Sequence, residues 1–185
     1  MPQYGGLFRI ARALEIYRDS TDVLVDLGRF RYPEGIVGNT RRWRIRGNSF
    51  LKALVRMKYS AVNVSPDDGE PFADDLISRA HDYDFPLISS NLAGRNLTLP
   101  AEITVSHPAG NLRFRGMTDI EAADAANSLR AELAPSSDDG IFTILLTDAS
   151  EAAIQTYLQH HPEINLVLWL NDGAPKIRWL EHRLT

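Results

Sequence analysis

The sequence predicts an α/β protein built on a largely parallel sheet. Short apolar, β-branched runs (DVLVDL, YSAVNV, IFTILL, NLVLWL) recur along the chain, separated by amphipathic stretches of helical length. Glycine, proline and aspartate cluster between them, where the chain must turn. One pair of runs, on either side of HPAGN, is too close for a crossover helix and reads as a hairpin, which makes the sheet mixed.

The elements follow in order. Gly6–Tyr17 carries Leu7, Ile10, Leu14 and Tyr17 at helical spacing. Asp22–Leu27 is a buried strand that stops at Gly28, and RFRYPEGIVGNT beyond it, with Pro33, Gly35 and Gly38, is a loop. Ser49–Met57 is a second amphipathic helix, Tyr59–Val64 a second strand and Ser65–Pro71 a turn cluster. Phe72–Tyr83 places Phe72, Leu76, Ile77 and Ala80 on one helical face, and Pro86–Ser89 is a short strand. Ala101–Val105 and Leu112–Gly116 are the hairpin arms. Thr118 or Asp119 caps a helix that reaches Leu133, with Glu121 near its start. Ile141–Leu146 is the most apolar strand, followed by helix Ala149–His160, strand Asn165–Leu170 and an edge strand over Lys176–Leu184.

Composition limits the function classes. With 185 residues, 44% hydrophobic and 24% charged, the chain is expected to form one domain over residues 1–185. No run approaches the roughly 18 apolar residues of a membrane span, and the N-terminus lacks a signal peptide's apolar stretch. A cytoplasmic chain is expected. A net charge of −4 argues against a general nucleic-acid binder. The absence of cysteine removes disulfides, thiolate metal sites and cysteine nucleophiles together. Among the histidines (His81, His107, His160, His161, His182) none forms the i, i+4 pair of a metal-binding helix. His160 and His161, ahead of Pro162 at a helix end, read as structural or surface residues. Ser65, Ser89 and Ser90 have no spacing to histidine or acid that marks a triad, and no glycine-rich loop matches a phosphate-binding fingerprint.

In a parallel sheet, ligands bind outside the carboxyl ends of the strands. Those ends read Asp26-Leu-Gly-Arg29, Ser65-Pro-Asp-Asp68, Ser89-Ser-Asn91, Thr147-Asp148 and Asn171-Asp-Gly173. In order and spacing they resemble the 5′-nucleotidase branch of the calcineurin-like metallophosphoesterases. Gly5-Gly6, a helix and then DVLVDLG is similar to that family's opening "GG-helix-VLLLDAGD", and KYSAVNVSPDD is similar to its "GYDAVTLGNHE". FPLISSNL resembles "FPVLSANL" almost residue for residue. FRGMTD, IFTILLTD and INLVLWLND stand where the family has "IGLT", "VIVLSH" and "DLIIGGHTH". The resemblance runs from Gly5 to about residue 173. It implies a two-sheet α/β sandwich with mixed, mostly parallel sheets, trimmed at its N-terminus and without a substrate-recognition domain.

The family's chemistry is two-metal phosphoester hydrolysis, with an Asp bridging two cations that activate water and polarise the phosphate. Carried over position by position, that apparatus is degenerate here. The strand with the family's first Asp-x-His pair has no counterpart ahead of Gly5. The bridging Asp falls on Arg29, the Asn-His pair on Pro66-Asp67, the next His on Asp148, and the last two His on Asn171 and Gly173. Arg29 puts a cation where cations would be held, and neither Pro66 nor Gly173 has a ligating side chain.

The leading expectation is therefore a non-catalytic, pseudoenzyme-type subunit without a cofactor, one that binds a protein partner or completes a larger assembly. Its degenerate pocket positions are Asp26, Arg29, Asp67, Asp148, Asn171 and Asp172. The partner surface is expected in RRWRIRG, where Arg41, Arg42, Arg44 and Arg46 surround Trp43. Interfaces are enriched in Trp and Arg, so a protein partner suits these residues better than nucleic acid does. An alternative is a hydrolase whose carboxylates, Asp26, Asp67, Asp68, Asp148 and Asp172, form a rebuilt divalent-metal site. Aspartate is also favoured simply where strands end, as a turn or cap residue. A second alternative is a phosphate- or nucleotide-sensing domain in which Arg29 and the Arg41–Arg46 run replace the metals' positive charge.

Overall fold

A computed structural model of the chain describes residues 7–20, 22–28, 51–65, 73–90, 99–118, 140–171 and 174–179. The loop expected after Gly28, the Ser65–Pro71 turn beyond Ser65 and the helix expected to reach Leu133 lie outside the described residues.

Two sheets carry the fold. The first is all parallel, in the order β1 (Val25–Asp26), β2 (Ala61–Asn63), β3 (Leu87–Ile88). The second runs β4 (Glu102–His107), β5 (Gly110–Met117), β6 (Phe142–Thr147), β7 (Ile164–Asn171), β8 (Ala174–Trp179). Its centre, β5-β6-β7, is parallel, and an antiparallel strand closes each edge. The expected α/β class with mixed, mostly parallel sheets is thus the observed one.

Alternation along each strand sorts side chains into layers. In β2 and just beyond it, Val62 and Val64 face outward against α1 (Leu7–Tyr17), α2 (residues 51–56) and α3 (Ala73–Asp82). That outer core gathers Ala11, Leu14, Leu51, Leu54, Ile77 and Ala80. Ala61 and Ile88 point the other way and meet Phe114, Ile144, Leu146 and Leu166 of the second sheet. The outer face of the second sheet presents Met117, Leu145 and Val167 to Ile154 and Tyr157 of α4 (Glu151–His160). Among the described residues the order of layers is helices, sheet, sheet, helix. Phe85, Leu87, Ile88, Ile144 and Leu146, all expected in the core, are buried.

Several boundaries differ from the sequence expectation, each for a local reason. The hairpin arms run on to His107 and Gly110, leaving a turn of Pro108 and Ala109 alone. Gly110, at φ +128, takes a backbone angle that other residues adopt with difficulty. α4 begins at Glu151 rather than Ala149, because the Ser150 hydroxyl accepts the backbone N–H of Ala153 and caps the helix. β8 begins at Ala174, where its pairing with Asn171 starts, and not at Lys176.

Candidate functional site

The carboxyl edges of the two sheets meet around one side chain. Asn63, the last residue of β2, lies between the sheets with no exposed surface. Its amide nitrogen donates to the carbonyl of Leu27 just after β1 (3.1 Å) and to that of Met117 at the end of β5 (2.9 Å). One amide thus ties the first sheet to the second at the edge where a ligand would bind. The ends of β3 and β5 join beside it, as the Ser90 N–H donates to the Gly116 carbonyl at 2.7 Å.

The close approach requires glycine at two positions. A Cβ on Gly116 would stand 2.7 Å from Asn63 Oδ1 and 2.9 Å from the Ile88 carbonyl oxygen. Gly28 turns the chain after β1 at φ +97, and its N–H donates to Asp26 Oδ1 at 2.9 Å.

Two expected pocket carboxylates are engaged here. Asp26 accepts the Gly28 N–H, and burial holds its pKa above the ordinary carboxylate value despite that bond. Asp148, buried after β6, accepts the Thr118 hydroxyl at 2.7 Å. A continuous path therefore runs from Asp26 through the turn to Asn63, Met117, Thr118 and Asp148. Asn171 is the final residue of β7, paired with Ala174. Arg29, Asp67, Asp68, Asp172 and the run Arg41, Arg42, Trp43, Arg44 and Arg46 lie outside the described residues.

Asn63 Oδ1 is buried without a hydrogen-bond partner, and one oxygen each of Asp26 and Asp148 accepts a protein hydrogen bond. No group of three or more His, Asp or Glu among the described residues is arranged to hold a metal. The carboxylate-rich set proposed from the sequence reaches into residues that are not described.

A second polar cluster, which the sequence reading missed, sits on the outer face of the second sheet. Arg115 is 1% exposed. Its Nε and Nη2 donate to Glu102 Oε2, at 3.2 and 2.8 Å, from directly across the β4–β5 ladder. Its Nη1 reaches Glu163 Oε1 at 2.6 Å and His161 Nδ1 at 3.2 Å. The His161 ring stacks on Tyr157, with centroids 4.2 Å apart. Burial lowers the His161 pKa, and the neighbouring Arg115 charge works the same way against the pull of Glu163. For Tyr157, burial pushes the phenol up to about 12. The available signal was the alternation RFR in β5, with two cations inside an otherwise apolar run.

No family model matches the chain, and no curated protein matches it. Among solved structures it is similar to the 5′-nucleotidase precursor from Thermus thermophilus, with a TM-score of 0.56 and 13% identity over 88% of this chain. The chain spans 34% of that protein. At this identity the likeness is one of fold, and the fold is the two-sheet arrangement described above.

Proposed function

We propose that this chain is a non-catalytic subunit on a 5′-nucleotidase-like scaffold, with a protein partner as its ligand. The observation that carries the reading is the edge centred on Asn63. Where the sheets converge, side chains are engaged by the protein itself: Asn63 Nδ2 donates to two backbone carbonyls, Asp148 accepts the Thr118 hydroxyl, and Asp26 accepts the backbone N–H of its own turn. A hydrolytic edge needs donors held open toward substrate and metal. The substitutions read from the sequence, Arg29, Pro66 and Gly173 at ligand positions, support the same conclusion. A stable scaffold keeps its layers and loops without its chemistry.

The partner surface in this reading is the Arg41–Arg46 run, with Trp43 as the anchor. The test has three arms. Purified protein is incubated with Mn²⁺, Zn²⁺, Mg²⁺ or Ca²⁺ and a panel of nucleotides and simple phosphoesters, and no turnover is expected. Metal-dependent turnover abolished by Asp148→Ala or Asp67→Ala would establish the hydrolase instead. Trp43→Ala is expected to weaken the native complex by about 2 kcal/mol or more, as loss of a hot spot does. Stabilisation by phosphate or nucleotide that is lost on neutralising Arg29 would favour the sensor.

A further inference from the structure

We propose that the groove between α1 and α2 docks an acidic, amphipathic helical segment of a partner protein. The proposal extends the partner-binding reading but stands on residues other than the Arg41–Arg46 run. The groove has a volume of about 840 Å³ and is lined on its apolar side by Leu14, Ala53 and Met57. Its cationic side is formed by Arg18, Lys52, Arg56 and Lys58. Lys52, Arg56 and Lys58 are exposed, and none of the three has an ion pair among the described residues.

Arg18 is held in place without being neutralised. Its Nη1 donates to the carbonyls of Met57 (2.7 Å) and Lys58 (3.1 Å), and its Nη2 to that of Asp22 (3.0 Å). These bonds cap the end of α2 and fix a cation at the groove. Of the groove's two acids, Glu15 is paired with Arg12 at 3.1 Å, and Asp19 accepts the Ser20 hydroxyl. In a chain of net charge −4, this is a local excess of positive charge over an apolar lining.

The bordering helix packs Ala11 and Leu14 on the core and leaves other apolar side chains, outside the groove lining, exposed. Ile10, Ile16 and Tyr17 of α1, at 48%, 58% and 84% exposure, are three of the five exposed large hydrophobics among the described residues. Lys52 and Arg56 stand one turn apart on α2, so they match carboxylates one turn apart on an opposing helix. A small anion would call for donors converging on a point, whereas Lys52 and Arg56 stand one turn apart on α2 and Arg18 is held at that helix's C-terminal end. An apolar stripe flanked by acids satisfies both linings together.

The probe is a fluorescent synthetic peptide of roughly 18 residues, with Leu on one helical face and Glu flanking it. Its control is the same peptide with Lys in place of every Glu. Anisotropy titrations of the full chain should show the Glu peptide binding and weakening as salt rises, while the Lys peptide does not bind. The double variant Lys52→Glu, Arg56→Glu changes two exposed side chains, so its melting temperature should match the parent's. It should bind the Glu peptide about tenfold more weakly or worse, given the like-charge repulsion introduced. Should the double variant fail to fold, Lys58→Glu alone is read by the same titration.

Equal binding of both peptides, or unchanged affinity in the variants, overturns the proposal. So does a groove whose variants shift only the monomer–dimer balance or only the binding of phosphatidylserine vesicles. The two readings fail separately. Phosphoester turnover would sink the non-catalytic assignment and leave the groove standing. Loss of the native complex in Trp43→Ala, with no peptide binding at the groove, would sink the groove alone.

Discussion

Asn63 is a polar residue in the apolar run AVNV, and its position explains it. The side chain points between the sheets, where a hydrocarbon would leave the Leu27 and Met117 carbonyls without this donor. Asn63→Ala should cost about 2–4 kcal/mol, for two buried hydrogen bonds and the space left behind. Urea unfolding measures it, and a loss under about 0.5 kcal/mol would mean that the amide is not the tie between the sheets. The Arg115 cluster sets a pH dependence. His161 and Glu163 both have folded pKa values below their ordinary 6.5 and 4.5. A depressed folded pKa means that the unfolded chain takes up the proton first, so stability is present above the ordinary value and lost below it. Melting temperature should therefore begin to fall below pH 6.5 through His161 and fall further below pH 4.5 through Glu163. His161→Asn should remove the upper limb of that decline. An unchanged limb would place the titration elsewhere.

At the scale of elements, strand β6 joins two cores. Ile144 and Leu146 enter the layer between the sheets, while Leu145 faces α4. Leu146 is fully buried, and Leu146→Ala should cost about 2–5 kcal/mol in chemical unfolding. A loss well under about 1 kcal/mol would contradict its packing. Strand β5 is constrained differently, by contact with the edge of the first sheet. Gly116→Ala forces a methyl to within 2.7 Å of Asn63 Oδ1 and 2.9 Å of the Ile88 carbonyl, both firmly held. It should destabilise by about 1–3 kcal/mol, as overpacking does. Alanine at Gly110 meets nothing within 4 Å and costs only its backbone strain, so the pair separates sterics from conformation.

For the whole molecule, the proposed non-catalytic reading has a thermal test. On the proposed reading, adding EDTA or Mn²⁺ should leave the melting temperature unchanged, because ligand binding to the folded state alone would raise it. A rise that grows with Mn²⁺ concentration and vanishes in Asp148→Ala would point to a metal site instead. The layers of the fold were legible from periodicity, since Val62, Ile88, Ile144 and Leu146 are buried as their apolar runs predict. The edge was legible only in part. Asp26 and Asp148 were singled out as strand-end carboxylates, but Thr118 was read as a helix cap and Asn63 only as part of a strand. A hydroxyl or amide gains its role from a partner far along the chain, here 30 residues for Thr118 and 54 for Asn63.

Local rules act over one helical turn or one strand, so the sequence by itself determined the order of elements, the hairpin and the apolar faces. Tertiary structure decided what no local rule carries. The division into two sheets, expected from the family resemblance and not from periodicity, is held by Ala61 and Ile88 burying against Phe114, Ile144 and Leu166 across the gap. His161, an ordinary residue at a helix end in the sequence, is stacked on Tyr157 beside a buried guanidinium. Arg115 is tolerated at 1% exposure only because Glu102 and Glu163 converge on it from two other elements. Burying a charge is costly unless it is paired, and pairing across distant segments exists only once the chain has folded.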